Sequence, residues 1–155
     1  ASVMRYIGTG TPQNEQQARA WLEKNKLRSA QRNFGIWAVT PKEGKTLLGW
    51  CGLAILDDTD EVEVGYGLAH PHWGKRITPE GARANLHYGF KVINLERIVA
   101  VALPENTASR RVMERLGMKY EKDAYYYGCN VVYYAVSRDE FKSRPAPFRM
   151  KHSGD

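Results

Sequence analysis

The segment 70–81, HPHWGKRITPEG, carries the residue types of a phosphate-binding turn. It follows a strand-like run and precedes a helix-like run, and the free N–H groups at the start of a helix attract anions. Lys75 and Arg76 add two positive charges, and an arginine side chain can hold a phosphate with two hydrogen bonds. The chemistry expected of this turn is therefore the binding of a phosphate or pyrophosphate group.

Three residues of the same turn oppose anion binding. Arg76 stands where a glycine would give the backbone the freedom to adopt a positive φ. Thr78 could cap the helix with its hydroxyl and so compete for the N–H groups, and Pro79 has no N–H to donate. The turn is either a weakened anion cradle or a well-capped helix start with a solvated arginine, and its residues alone leave both interpretations open.

Other motifs in the chain point less clearly to chemistry. GKT at 44–46 is similar to the end of a P-loop, but Val39 stands where the other glycine should be. His70 and His72 alternate on one predicted strand face, yet no third ligand lies at a suitable spacing, so no metal site is expected. GYG at 65–67 lacks the third glycine of a dinucleotide-binding fingerprint.

Composition bounds the class of protein. The chain has 155 residues, of which 43% are hydrophobic and 26% charged, as expected of one globular domain. No apolar run approaches the roughly 20 residues of a membrane span. The net charge of +6 favours an anionic ligand, but the charges are scattered, so nucleic-acid binding is disfavoured. Cys51 and Cys129 lie in apolar strand-like runs, which predicts buried free thiols and a cytoplasmic protein.

The elements that must position the turn follow from hydrophobic periodicity and from turn residues. Three helices are predicted, at roughly 12–29 with Thr11 as the N-cap, at 79–92 and at 106–117. Strands are predicted at 34–40, 46–56, 61–69, 97–103, 119–128 and 130–137. The strand–helix–strand unit at 61–103 implies one parallel pair in an otherwise antiparallel sheet.

This order of elements and two sequence segments resemble the GNAT superfamily of N-acetyltransferases, and within it the branch that acetylates ribosomal-protein N-termini. The segments are EVGYGLAHPHWGK at 63–75 and LPENTASRRVMERLGMKYE at 103–121, and the similarity extends to about Phe141. The resemblance implies a mixed α/β or α+β fold. Its twisted, mostly antiparallel sheet would have about six strands and three helices, with the parallel pair splayed apart at the cofactor site.

The resemblance also implies an acetyl-CoA-dependent transferase that moves an acetyl group to a primary amine by direct attack. The pantetheine arm of acetyl-CoA would pair with the strand edge at Leu68, Ala69 and His70. Asn106 would bridge a helix start and this arm, while Ser109 would lie near the sulfur and protonate the departing thiolate. The family cradle reads Gln/Arg-x-x-Gly-x-Gly/Ala, and the matching positions here are Trp73, Gly74, Lys75, Arg76, Ile77 and Thr78.

Acetyl transfer to an amine also needs a proton acceptor and a donor to the carbonyl oxygen. Glu61 and Glu63 share one face of the strand at 61–69, beside the implied splay. Glu63 could take the amine proton directly or through water, although a solvated strand face is the competing interpretation. A strand N–H near Leu68 or Ala69 could stabilise the oxygen. Tyr125 to Tyr127 could shape the acceptor pocket.

Two departures from the family keep a second function open. The strand and helix that usually precede the segment matching 3–8 are absent, so the strand at 34–40 would be a bare edge. We expect a second subunit to cover this edge in a homodimer, or the chain to be a fragment. With its substituted cradle, the chain could instead be a weak or inactive relative that binds a protein or small ligand. The domain is expected at 1–141, followed by a basic, flexible tail at 142–155.

Overall fold

The structure is a computed structural model, and it describes residues 13–142 of the chain. These residues form three α-helices, a six-stranded sheet and one short 3-10 helix. In chain order the elements are α1 (Glu15–Arg32), β1 (Ile36–Val39), β2 (Gly49–Ile55), β3 (Val62–Leu68), the 3-10 helix (His70–His72), α2 (Ile77–Lys91), β4 (Arg97–Ala102), α3 (Thr107–Arg115), β5 (Lys119–Tyr126) and β6 (Cys129–Ser137). The predicted fold class is confirmed.

The strands lie in the order β1-β2-β3-β4-β6-β5, and every neighbouring pair is antiparallel except β3 and β4. The parallel pair is the predicted crossover, since α2 connects its two strands. β2 and β3 pair along their whole length, whereas Glu63–Val99 is the single pair in register between β3 and β4 within residues 13–142. The two parallel strands therefore separate, as predicted.

The main core lies between the sheet and the two helices α2 and α3. It joins Leu53 and Val64 of the sheet to Leu86 of α2 and Met113 of α3, each of which is buried. A smaller cluster lies on the opposite face of the sheet and consists of Leu56, Val99, Tyr133 and Ala135. Tyr133 and Tyr134 belong to different clusters, because successive residues of a strand point to opposite faces of the sheet.

The start of α1 differs from the prediction. Asn14 is the N-cap, and its side chain accepts a hydrogen bond of 2.8 Å from the N–H of Gln17. The Gln17 side chain accepts one of 3.0 Å from the N–H of Asn14, which completes a capping box. This reciprocal pair fixes the first helical residue at Glu15, so the predicted start near residue 12 is wrong. Thr11 itself lies outside the described residues.

The start of α2 also differs from the prediction. The helix begins at Ile77, two residues before Pro79, and Arg76 is the N-cap with φ 60° and ψ 6°. Thr78 is therefore a residue of the first turn, and the predicted cap by its hydroxyl is wrong. Pro79 is tolerated there because an N–H in the first turn would have no acceptor within the helix.

β1 forms one edge of the sheet, as predicted for the strand at 34–40. Among the described residues, nothing pairs with its outer side. The two cysteines are free, and Cys51 is buried as predicted, whereas Cys129 is only half-buried. Within residues 13–142, every helix is too short or too polar to span a bilayer. The predicted tail at 142–155 lies outside the described residues, except for its first residue.

Candidate active site

The candidate site begins where β3 and β4 separate, beyond the Glu63–Val99 pair. Ala69 donates its N–H to the carbonyl of Leu48, on the β2 side, at 2.9 Å. Because the backbone groups of successive strand residues point to alternate sides, the N–H of Leu68 faces the gap between β3 and β4. Of the two N–H groups expected to donate to the acetyl carbonyl oxygen, only that of Leu68 is available, because the N–H of Ala69 is already bonded to Leu48.

Trp73 contacts the same strand end. Its indole Nε1 donates to the carbonyl of Leu68 at 2.8 Å, and its ring centre lies 4.7 Å from that of His70. The indole therefore already donates to one of the backbone groups at the strand edge that a pantetheine arm was expected to use. His70 and His72 belong to the 3-10 helix, so the predicted alternation on a strand face is wrong.

The turn between the 3-10 helix and α2 has an unusual backbone. Gly74 has φ 77° and Arg76 has φ 60°, so both take left-handed conformations. Glycine adopts this conformation freely, whereas another residue pays roughly 1–2 kcal/mol. A Cβ added at Gly74 would meet nothing within 4 Å, which shows that the turn is open on that side. Arg76 therefore does what a glycine of the cradle would do, at an energetic cost.

This turn fits the pyrophosphate of the cofactor that the resemblance implies. The N–H groups of Ile77 and Thr78 lie in the first turn of α2, where no earlier carbonyl of the helix can accept them. Lys75 and Arg76 are exposed, so their charges can contact an anion. Pro79 removes one donor, as expected. The turn thus offers an anion two backbone donors and two exposed positive charges, with one strained residue.

The N-terminus of α3 brings a hydroxyl to β3. The Asn106 side chain caps the helix by accepting a hydrogen bond of 3.2 Å from the N–H of Ser109. The Ser109 Oγ lies 2.9 Å from the hydroxyl oxygen of Tyr66, which also donates to the Ser109 carbonyl at 3.3 Å. Burial raises the pKa of Tyr66, so its hydroxyl keeps its proton at neutral pH. Hydrogen bonds therefore connect Asn106 to Ser109, and Ser109 to Tyr66 of β3.

Tyr66 was not among the predicted site residues, although one signal could have indicated it. Val62 and Val64 alternate with Glu63 along β3 and belong to the core beneath α2 and α3. The same alternation places Tyr66 on the helix side, where the start of α3 is the nearest polar feature. The sequence could not show that Tyr66 and Ser109 are in contact, because they are 43 residues apart along the chain.

Glu63 lies on the other face of β3, at the vertex of the separating strands. It is half-buried, and its carboxylate accepts a hydrogen bond from the hydroxyl of Tyr127. Burial raises the pKa of Glu63 to about 7; the Tyr127 hydrogen bond opposes this rise, and the negative charge of Asp57 adds to it. A carboxylate with this pKa can accept a proton efficiently near neutral pH.

Glu61 shares that face but has different surroundings. Its carboxylate accepts a hydrogen bond from Tyr133, whose hydroxyl oxygen lies 3.5 Å from Nη2 of Arg97. Arg97 also forms an ion pair of 2.5 Å with Glu121. Glu61 is thus tied into a polar network at the closed end of the strand pair, so Glu63 is the better placed of the two carboxylates.

Comparison with known proteins identifies the family of the chain. The family model described as the acetyltransferase (GNAT) domain matches residues 1–119. The uncharacterized N-acetyltransferase YnaD of Bacillus subtilis is 30% identical over 149 residues, which cover 91% of this chain and 84% of YnaD. The uncharacterized protein YkkB of the same organism is 33% identical over 111 residues, or 70% of this chain. That alignment spans 64% of YkkB, less than two thirds of its length.

Solved structures show the same fold. The crystal structure of a GNAT-family acetyltransferase from Bacillus anthracis superposes with a TM-score of 0.75 at 30% identity, covering 90% of this chain and 83% of that one. RimJ of Mycobacterium smegmatis, in complex with CoA-disulfide, gives a TM-score of 0.73 at 18% identity and covers 90% of this chain and 72% of its own. The second likeness shows the fold alone.

Proposed function

The chain belongs to the GNAT acetyltransferase family, and from this premise we propose that it transfers the acetyl group of acetyl-CoA to a primary amine. The acceptor would be a small molecule or a peptide N-terminus, and the amine would attack the thioester directly. The observation that carries the proposal is the gap between β3 and β4, which has Glu63 on one face of the sheet and Ser109 on the other.

The residues that would hold acetyl-CoA lie along one path. The turn at 73–78 and the N-terminus of α2 would bind the pyrophosphate, and the arm would lie along the end of β3 at Leu68. Asn106 would stand beside the arm at the start of α3. When bound, acetyl-CoA supplies the activated acetyl group as a thioester.

Side chains on the two faces of β3 would accept and donate the protons of the reaction. Glu63 would accept the proton that the amine loses as the C–N bond forms, and its pKa of about 7 lets it do so near neutral pH. The Leu68 N–H would stabilise negative charge on the carbonyl oxygen. Ser109 would donate a proton to the sulfur as the C–S bond breaks and would regain a proton from solvent; its Oγ lies 2.9 Å from the Tyr66 hydroxyl oxygen.

Two observations favour a second candidate function. Arg76 carries a side chain where the family cradle has a glycine, and the Trp73 indole donates to the Leu68 carbonyl, so both hinder close approach of the cofactor. A GNAT-like protein that binds an acidic small ligand or a partner without catalysis would tolerate both features. The two candidates differ in whether acetyl-CoA binds and turns over.

Titration calorimetry with acetyl-CoA, followed by thiol-release assays across a panel of primary amines, tests the proposal. We expect micromolar binding and release of CoA with at least one amine. No heat at millimolar acetyl-CoA would contradict the transferase function and support the non-catalytic one. Binding without release, for any amine of the panel and any peptide N-terminus, would support the same conclusion.

A further inference from the structure

Two turns that are distant in sequence are joined on the Glu63 face of the sheet. The N–H of Asp57, at the start of the β2–β3 turn, donates to the hydroxyl oxygen of Tyr127 at 3.0 Å. The N–H of Tyr127, in the β5–β6 turn, donates to the Asp57 carboxylate at 2.8 Å. Because one hydrogen bond runs in each direction across 70 residues of sequence, the two turns hold each other in place.

The same contacts fix the direction of a third hydrogen bond. The Tyr127 hydroxyl lies against the Glu63 carboxylate, and it also accepts the hydrogen bond from the Asp57 N–H. A phenol carries one proton and the backbone N–H can only donate. The Tyr127 proton is therefore the one that points at Glu63, and it engages the oxygen Oε1.

The backbone at both turns is held in conformations that are costly for these residues. Asp57 has φ 42°, and Tyr127 and Gly128 have φ 54° and 74°. Two successive positive φ values in a two-residue hairpin form a turn that favours asparagine or glycine, not tyrosine. Such strain persists only where the surrounding contacts hold it, and it concentrates at functional sites. The contacts that hold Tyr127 here are those with Asp57 and Glu63.

We propose that Tyr127 is a positioning residue for Glu63, and that Asp57 in turn holds Tyr127. The hydroxyl would fix one carboxylate oxygen and leave the other, Oε2, to accept the amine proton. This inference rests on the proposed function, because it gives Tyr127 its role through the base. It also explains why a tyrosine occupies a turn position whose left-handed backbone conformation is unfavourable for that residue type.

Charged groups lie on the strand of Glu63 and at the Asp57 turn. The same strand contributes Glu61, which is bonded to Tyr133 of β6. A cavity of about 300 Å³ adjoins the Asp57 turn, and its charged lining consists of Arg28, Arg32, Asp57, Asp58 and Asp60. Of the groups that act on Glu63, the Tyr127 hydrogen bond lowers its pKa and the Asp57 charge raises it. Removing these two groups should therefore have opposite effects.

Carboxyl NMR titration of glutamate-labelled protein tests the inference, with Glu63→Gln to identify the resonance. Tyr127→Phe should raise the titration midpoint of Glu63 by about one unit, the equivalent of one hydrogen bond to a charged group. Asp57→Asn should lower the midpoint, because its amide oxygen can still accept from Tyr127 while the charge is lost. The acid limb of kcat/KM should move in the same two directions.

Tyr120→Phe is the matched control, since Tyr120 also lies on the β5–β6 hairpin and donates to a carboxylate, that of Asp123, at 3.0 Å. It should leave the Glu63 midpoint and the pH profile unchanged. A Tyr127→Phe midpoint equal to that of the wild type, or shifts of the same sign in Tyr127→Phe and Asp57→Asn, would overturn the inference. The titration needs no turnover, so failure of the proposed function would show separately as an inactive wild type.

Discussion

At the residue scale, the proposed acetyl transfer depends on Glu63 more than on any other side chain. Strand alternation placed Glu63 on one face of β3, and the family resemblance implied that β3 separates from its parallel neighbour there. Alternation could not indicate its proton affinity, because burial and the contact with Tyr127, 64 residues away, arise only in the folded chain. Ser109 was predicted from the family resemblance. Its hydrogen-bond partner Tyr66 could be identified only from the tertiary contact in the folded chain.

Glu63→Gln should lower kcat/KM strongly, because glutamine keeps the shape and the Tyr127 contact but cannot accept a proton. General-base catalysis is typically worth about 10²–10⁴-fold, so we expect a loss in that range. Steady-state kinetics with the best amine would measure it. The matched change Glu61→Gln should stay within a few-fold of the wild type, and an equal loss in both variants would show that Glu63 has no special role.

Glu63→Gln should also change the pH dependence of the free energy of unfolding. Glu63 has a pKa of about 7 in the folded protein against an ordinary value of 4.5, so between these values the folded state binds more protons than the unfolded state. The free energy of unfolding of the wild type must therefore fall as pH rises through this window. Glu63→Gln should be more stable than the wild type at pH 8 and no different at pH 4.

Urea denaturation at the two pH values would measure this difference. A stability gap between the variant and the wild type that is the same at both values would mean that Glu63 does not carry a raised pKa. The comparison uses only folding equilibria, so it is independent of whether the acceptor amine is known.

At the scale of elements, the six strands and the parallel pair followed from hydrophobic patterns, because a strand buried on both faces reads as a continuous apolar run and a parallel crossover needs a connecting helix. The helix starts were less predictable. The capping box at Asn14 and Gln17 displaced the start of α1, and the left-handed Arg76 extended α2 by two residues. Both boundaries depend on backbone angles that residue types favour only weakly.

Arg76→Gly should relieve the strain at the start of α2 and raise the free energy of unfolding by the strain of roughly 1–2 kcal/mol less the roughly 0.5–1 kcal/mol of entropy that a glycine loses. Affinity for acetyl-CoA should rise or stay constant, because phosphate oxygens can approach the backbone more closely although one charge is lost. Calorimetry and thermal unfolding would measure the two effects.

Lys75→Ala is the control for this change, since it removes a charge from the same turn without altering a strained residue. It should weaken acetyl-CoA binding, and more so at low salt. Equal losses of affinity in Arg76→Gly and Lys75→Ala would show that charge alone governs binding at this turn, which contradicts the cradle geometry.

At the scale of the whole molecule, the exposed side of β1 is the feature that the fold leaves unexplained. The described residues pair only with its inner side, and an open strand edge favours pairing with another chain. A homodimer that covers β1 therefore remains our prediction. Its basis is the position of β1 at the edge of the sheet, which the family resemblance implied for the strand at 34–40, while the partner surface could not be read from the sequence.

Sedimentation should find the wild-type protein dimeric, and Ala38→Lys should shift it towards monomer. Ala38 is exposed on β1, and a charged side chain there disfavours edge pairing. A monomeric wild type over the whole concentration range would contradict the prediction, as would a dimer that Ala38→Lys leaves intact.

The central claim is that acetyl-CoA binds in the gap between β3 and β4. Amide NMR during titration with acetyl-CoA tests it most directly, because the N–H groups of Leu68, Ile77 and Thr78 report on the arm and the pyrophosphate separately. We predict saturable shifts concentrated in residues 66–78 and 106–110. Unchanged spectra at millimolar acetyl-CoA, or shifts confined to other parts of the chain, would contradict the account.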